Sequence, residues 1–159
     1  LAVALNNFDI KILNLFLNRP FKVEGYFSGA ANLSANKNNS NIYLDITGDS
    51  VYVYNNAVGV IKLMGKWYQP EKRFNILVST KLNGKSNLMA TGYYKPQNNN
   101  IFLTADLNDF CVAYFEPFLS DIIAKTSGTL SGKLKLSGPL DKLELDGENC
   151  NFNNFKFIG

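Results

Sequence analysis

The sequence predicts an all-β protein: an elongated, curved antiparallel sheet joined by short helical or irregular connectors. Three observations predict it. Apolar and polar residues alternate with period two over most of the 159 residues, which marks strands with one dry and one wet face. Turn-forming clusters recur every dozen residues or so, the spacing of consecutive hairpins in a meander. Glycines fall repeatedly on the apolar parity, at Gly25, Gly29, Gly59, Gly65, Gly132 and Gly138, where they mark bulges, bends or close approach of a neighbouring backbone.

Leu1 to Leu5 alternates, and Asn6-Asn7-Phe8-Asp9 reads as a turn. Ile10 to Leu17 is too apolar for a loop and too irregular for a strand, so a short helix closing one end is expected before Arg19-Pro20 breaks it. Phe21, Val23, Gly25, Phe27, Gly29, Ala31 and Leu33 share the apolar parity of the next strand. The polar stretch Ser34 to Asn41 is an exposed turn. Strands follow over 41–48, 50–55 and 57–67, the last placing Ile61 and Leu63 on the dry face with Gly59, Gly65 and Trp67. Further strands are expected over 73–82, 87–94 and 100–107, separated by Asn83-Gly84-Lys85 and Lys95-Pro96-Gln97-Asn98-Asn99. The clearest alternation is Ser127 to Leu140, with Leu130, Leu134, Leu136 and Leu140 on one parity and Ser131, Lys133 and Lys135 on the other. Gly138-Pro139 turns it, and a new strand begins at Lys142 to Gly147.

The chain also echoes itself. Displaced by 102 positions, Leu5, Asn6, Phe8, Phe16 and Leu17 meet Leu107, Asn108, Phe110, Phe118 and Leu119. After a one-residue insertion Gly25, Ser28, Gly29 and Leu33 meet Gly128, Ser131, Gly132 and Leu136. The expected organisation is a single β-rich piece of a longer repeat protein, with one copy over 1–106 and an incomplete second over 107–159. The absence of an initial Met and the alternating run at the far end fit such a piece.

Composition excludes several functions. Histidine is absent, which removes the commonest general base and metal ligand, so no enzyme, cofactor or metal centre is expected. A net charge of +3, scattered along the chain, gives no nucleic-acid footprint. Cys111 and Cys150 lack metal-ligand spacing and are either bridged or two separate thiols. Glu144 and Asp146 share a strand face as a glycosidase pair would, but no pocket motif accompanies them, and a solvated face is the simpler reading. Asp45, Thr47 and Asp49 lack the Gly and terminal Glu of a calcium loop. Trp67, Tyr68, Tyr93 and Tyr94 are candidates for stacking on sugars or bases, against strand packing. The shared apolar face is either the core of a two-sheet sandwich or the wall of an open groove. No apolar run is long enough to cross a bilayer.

The phrase Ser127-Gly128-Thr129-Leu130-Ser131-Gly132-Lys133-Leu134-Lys135-Leu136-Ser137-Gly138-Pro139-Leu140, continued by Leu143-Glu144-Leu145-Asp146-Gly147, resembles the repeat of the TamB and AsmA-like family, in the style of Bacteroidota members. Gly25-Tyr26-Phe27-Ser28-Gly29-Ala30-Ala31-Asn32-Leu33 is a weaker copy. A Pro usual to the pattern is missing between Leu140 and Gly147, where Lys142 stands. The resemblance implies a U-shaped β-groove in the periplasm, held by an inner-membrane anchor lying outside this piece. It further implies phospholipid transfer to the outer membrane, and outer-membrane protein assembly with an Omp85-type partner. Phe21, Val23, Phe27, Leu33, Ile61, Leu63, Leu130, Leu134, Leu136 and Leu140 would then line a groove for phospholipid acyl chains. The alternatives are a chaperone-like scaffold that holds client strands by strand addition and a carbohydrate-binding β-sandwich.

Overall fold

A computed structural model describes residues 1–11, 22–36, 39–115 and 125–158. They form one open, curved sheet of nine antiparallel strands in sequential order, a pure meander. The strands are β1 (Ala2–Asp9), β2 (Val23–Asn36), β3 (Asn39–Val53), β4 (Asn56–Tyr68), β5 (Arg73–Leu82), β6 (Lys85–Lys95), β7 (Asn100–Cys111), β8 (Lys125–Pro139) and β9 (Glu144–Ile158). Among the described residues no second sheet faces the first, so the closed sandwich does not form.

Several strands run longer than the sequence pattern shows. The breaks expected near Asn7 and near Asp49-Ser50 are bulges inside β1 and β3, where Asn7 and Ser50 adopt left-handed φ of 51° and 53°. A bulge adds a residue without ending the pairing and bends the strand. The polar stretch after Leu33 is mostly strand as well, since β2 reaches Asn36 and β3 restarts at Asn39. At the other side of the chain, the two alternating runs after Lys142 join into the single strand β9. The helix expected over Ile10 to Leu17 falls largely outside the described residues, as does Phe21.

Strand direction sorts the connections onto two rims. One rim carries the ends of β1 and β7 together with the tight turns at Tyr54-Asn55 and Asn83-Gly84. The opposite rim carries short 3-10 turns at Gln69–Glu71 and Pro96–Asn98, each with Pro among its first two residues and closed by a left-handed residue, Lys72 and Asn99. Proline presets the first turn and lacks the N–H that would go unbonded there.

Glycine makes room for this curvature. At Gly65 a Cβ would run into the Phe74 ring, which lies across the glycine from the adjacent strand. At Gly29 it would strike the carbonyl of Asp45. These glycines therefore admit a neighbour's ring or backbone where a side chain would hold it off.

Gly65→Ala should cost about 1–3 kcal/mol by overpacking, measured by urea unfolding. The double change with Phe74→Leu should recover part of the loss if the ring is what the new methyl meets.

Candidate functional site

Because pairing is antiparallel and side chains alternate, each register row crosses the sheet on a single face. One row runs Val3, Ala31, Leu44, Gly65, Ile76, Gly92, Leu103, Leu136, Leu145 across all nine strands. The row beside it runs Leu5, Gly29, Ile46, Leu63, Val78, Ala90, Ala105, Leu134, Gly147. Neither contains a polar side chain. Eight interstrand steps of about 4.8 Å make each row about 38 Å long.

The opposite face is wet. Asp106, Lys133 and Glu148 occupy one of its rows and Lys135 and Asp146 the next. Lys133 lies 3.7 Å from Asp106 and Lys135 lies 3.9 Å from Glu148. These lysines are thus interleaved with carboxylates, and such exposed pairs contribute at most about 1 kcal/mol each. Glu144 and Asp146 lie on this same exposed face. Cys111 and Cys150 are free thiols.

Two buried clusters cover part of the dry face, both toward the rim where β1 and β7 end. In one, Leu107, Phe110, Leu130 and Leu134 pack with Val112 from the 3-10 turn Val112–Phe115. In the other, Ile10 joins Val51 and Val58, with Val23, Phe27 and Ile61 against them. Tyr114 touches both clusters. Its ring meets Phe110 edge-on at 4.9 Å, and its hydroxyl donates to the Ala57 carbonyl. Burial, with a smaller contribution from the neighbouring Cys111, pushes the Tyr114 phenol up to about 12. Beneath lies a cavity of about 110 Å³ lined by Val58, Leu82, Cys111, Tyr114 and Thr80 among others. Thr80 is 3% exposed, and its hydroxyl has no hydrogen-bond partner.

The expected groove residues therefore divide. Leu130 and Leu134 belong to the packed cluster, while Val23, Phe27 and Ile61 lie against the other. Leu63 and Leu136 are half-buried, one on each apolar row, and Leu33 is exposed near the opposite rim. Leu140 lies just beyond the end of β8 and is 47% exposed, its backbone N–H donating to the Asn99 carbonyl at 3.1 Å. Phe21 lies outside the described residues. The open row also contains Leu44, Ile76, Leu103 and Leu145, which the groove list lacked. Each sits on the apolar parity of its own strand, but the row exists only once register is known.

The aromatic candidates do not share a face. Trp67 and Tyr94 lie on the dry-face parity and Tyr68 and Tyr93 on the wet one. Trp67 Nε1 donates to Gln69 Oε1 at 2.6 Å, and Tyr94 is hydrogen-bonded to Asn99 Oδ1 at 2.8 Å. Tyr93 stacks on Phe102 at 5.6 Å beneath the Arg73 guanidinium at 4.7 Å. Intramolecular contacts engage these three rings.

Comparison with known proteins gives no matching family model, no matching curated protein and no matching solved structure.

Tyr114→Phe should cost about 1 kcal/mol at neutral pH through the lost hydrogen bond. In the fold Tyr114 keeps its proton to about pH 12, whereas in the unfolded chain it ionises from about pH 10. Its contribution is complete below pH 10 and is lost as pH rises toward 12. The gap between wild type and variant in urea melts should narrow over that window. Thr80→Val, which removes an unsatisfied hydroxyl at nearly constant volume, should stabilise the chain by about 1 kcal/mol in the same assay.

Proposed function

We propose that this chain is a length of apolar β-groove that holds phospholipid acyl chains and lets them pass along it. The observation that carries the reading is the uninterrupted row from Val3 to Leu145, uncovered along its length by any second layer among the described residues. Monomeric proteins rarely leave a continuous apolar band of this extent to water unless it meets a ligand, a partner or a membrane.

Length and chemistry suit an acyl chain. A bilayer's hydrocarbon core is about 30 Å thick, so the chains of one leaflet span about 15 Å, well within the row. Each methylene left in water costs about 0.8 kcal/mol, and a dry wall removes most of that cost. The row has no charged or hydrogen-bonding side chain, only aliphatic side chains and glycines. No position along it is a deep trap, so a bound chain can shift by one strand at little cost. Binding needs no catalytic group, metal or cofactor.

The resemblance to TamB and AsmA-like proteins supplies the cellular half of the proposal. On that basis the groove lies in the periplasm, belongs to a protein anchored in the inner membrane, and serves phospholipid delivery to the outer membrane beside an Omp85-type partner.

The test is native mass spectrometry and vesicle-to-vesicle transfer of a fluorescent phospholipid by the purified chain. Leu136→Asp and Leu103→Asp, on the open row, should lower lipid occupancy at least tenfold, while Thr104→Asp on the opposite face should leave it unchanged. Circular dichroism checks that each variant retains its sheet. Wild-type protein that carries no phospholipid, or charged variants that carry as much as wild type, would overturn the proposal.

A further inference from the structure

We infer that the open side of β9 is a docking edge for one kind of partner: an antiparallel strand with aliphatic residues on one face and lysines on the other, in the pattern of β4. The inference starts from how closely β7 to β9 reproduce β1 to β3. In β1 the bulge between Leu5 and Phe8 is closed by the Asn7 N–H donating to Ser28 Oγ at 3.0 Å. In β7 the bulge between Leu107 and Phe110 is closed by the Asp109 N–H donating to Ser131 Oγ at 2.9 Å. Gly25 and Gly128 both take positive φ, 139° and 113°, and the left-handed residues in the bulges beside them are Ser50 at 53° and Asn154 at 51°.

The register follows suit except for one extra residue in β9, the left-handed Asn149 (φ 53°), in a bulge opposite Gly132 that β3 lacks. Leu33↔Ile42 is matched by Leu136↔Leu145, Ala31↔Leu44 by Leu134↔Gly147, and Phe27↔Gly48 by Leu130↔Phe152. Apart from that bulge, β9 is to β8 what β3 is to β2. The second side of β3 is occupied by β4, along Tyr43↔Lys66 to Val53↔Asn56. The second side of β9 faces no strand among the described residues. It is fifteen residues long, longer than an edge usually protected against pairing.

Charge identifies the occupant. Carried across, the β4 position places its Lys66 opposite Asp146 and sets its Lys62 and Lys66 on either side of Glu148. Asp146 and Glu148 stand on the wet face of β9, both exposed. Cross-strand pairs of opposite charge favour such pairing, and like charges oppose it. A β4-type strand meets this edge with complementary charge outside and continues the apolar rows inside. Backbone hydrogen bonds supply the affinity and alternate side chains the choice of partner. The inference does not depend on lipid, so its failure and that of the groove proposal are separately visible.

The test uses register. The Ile46↔Leu63 pair of β3 and β4 corresponds to Cys150 opposite the Leu63 position of the bound strand. Three peptides with the sequence of Asn56–Tyr68 carry Leu63→Cys, Lys62→Cys or Met64→Cys, and each is checked as monomeric by light scattering. They are mixed with the whole chain in a glutathione redox buffer, and linked products are mapped by mass spectrometry. The Leu63→Cys peptide should bridge to Cys150 at least tenfold faster than the other two, whose thiols project to the opposite face. Adding Lys62→Glu and Lys66→Glu to that peptide should lower the rate at least tenfold, and saturating peptide should slow amide hydrogen exchange along β9. Equal rates from the three positions, linkage mainly at Cys111, a Cys150–Cys150 dimer as the main product, or no linkage with unchanged exchange would each overturn the inference.

Discussion

A single ladder of backbone hydrogen bonds, passed from each strand to the next over eight antiparallel pairings, is what this molecule depends on. There is no second sheet among the described residues to hold the first in shape, and the buried clusters are small. The parity kept along that ladder decides everything downstream. A one-residue slip in any pairing would turn the next strand's apolar side chains to the wet face and break both rows at once. The bulges are compatible with this because they sit mainly toward one rim, and the two apolar rows keep their parity across every strand.

Curvature follows from the same constraint. A flat sheet with one apolar face would expose it entirely, and a closed one would fill it with its own side chains. Glycines admit the Phe74 ring and the Asp45 carbonyl where a Cβ would keep strands apart, and left-handed residues at bulges add local bend. The described residues just past β1 and β7 then cover part of the dry face near one rim. Ile10 and Val112 act as anchors there, and Tyr114 ties the two clusters to the start of β4. The row from Val3 to Leu145 stays open, and that is the surface the proposed function assigns to an acyl chain. A wall of this kind selects by dryness and length rather than by hydrogen bonds, which suits a ligand that must keep moving.

The two proposals concern different surfaces of the same sheet. The groove uses side chains on one face, whereas the β9 edge uses backbone groups in the plane of the sheet. An added strand of β4 type would lengthen the apolar rows by one step. On these two proposals, recognition at the edge would serve the groove, because each added strand would extend the same dry wall.

Much of this architecture was legible in the chain itself. Alternation in Ser127 to Leu140 named the strand and its two faces, and the limits of β5 matched the expected 73–82 residue for residue. Turn chemistry located the hairpins because Gly, Asn and Pro act locally. What the sequence alone determined was thus parity, strand succession and the absence of histidine chemistry. The bulges at Asn7 and Ser50 read as turns, since a left-handed polar residue looks the same in both settings and only pairing on either side tells them apart. Which apolar residues stay open was likewise hidden. Leu134 and Leu136 are identical in type and parity, yet Leu134 lies in the cluster with Val112 while Leu136 remains on the open row. The tertiary structure decided that, because register and the path of a connector are long-range facts that no local pattern carries.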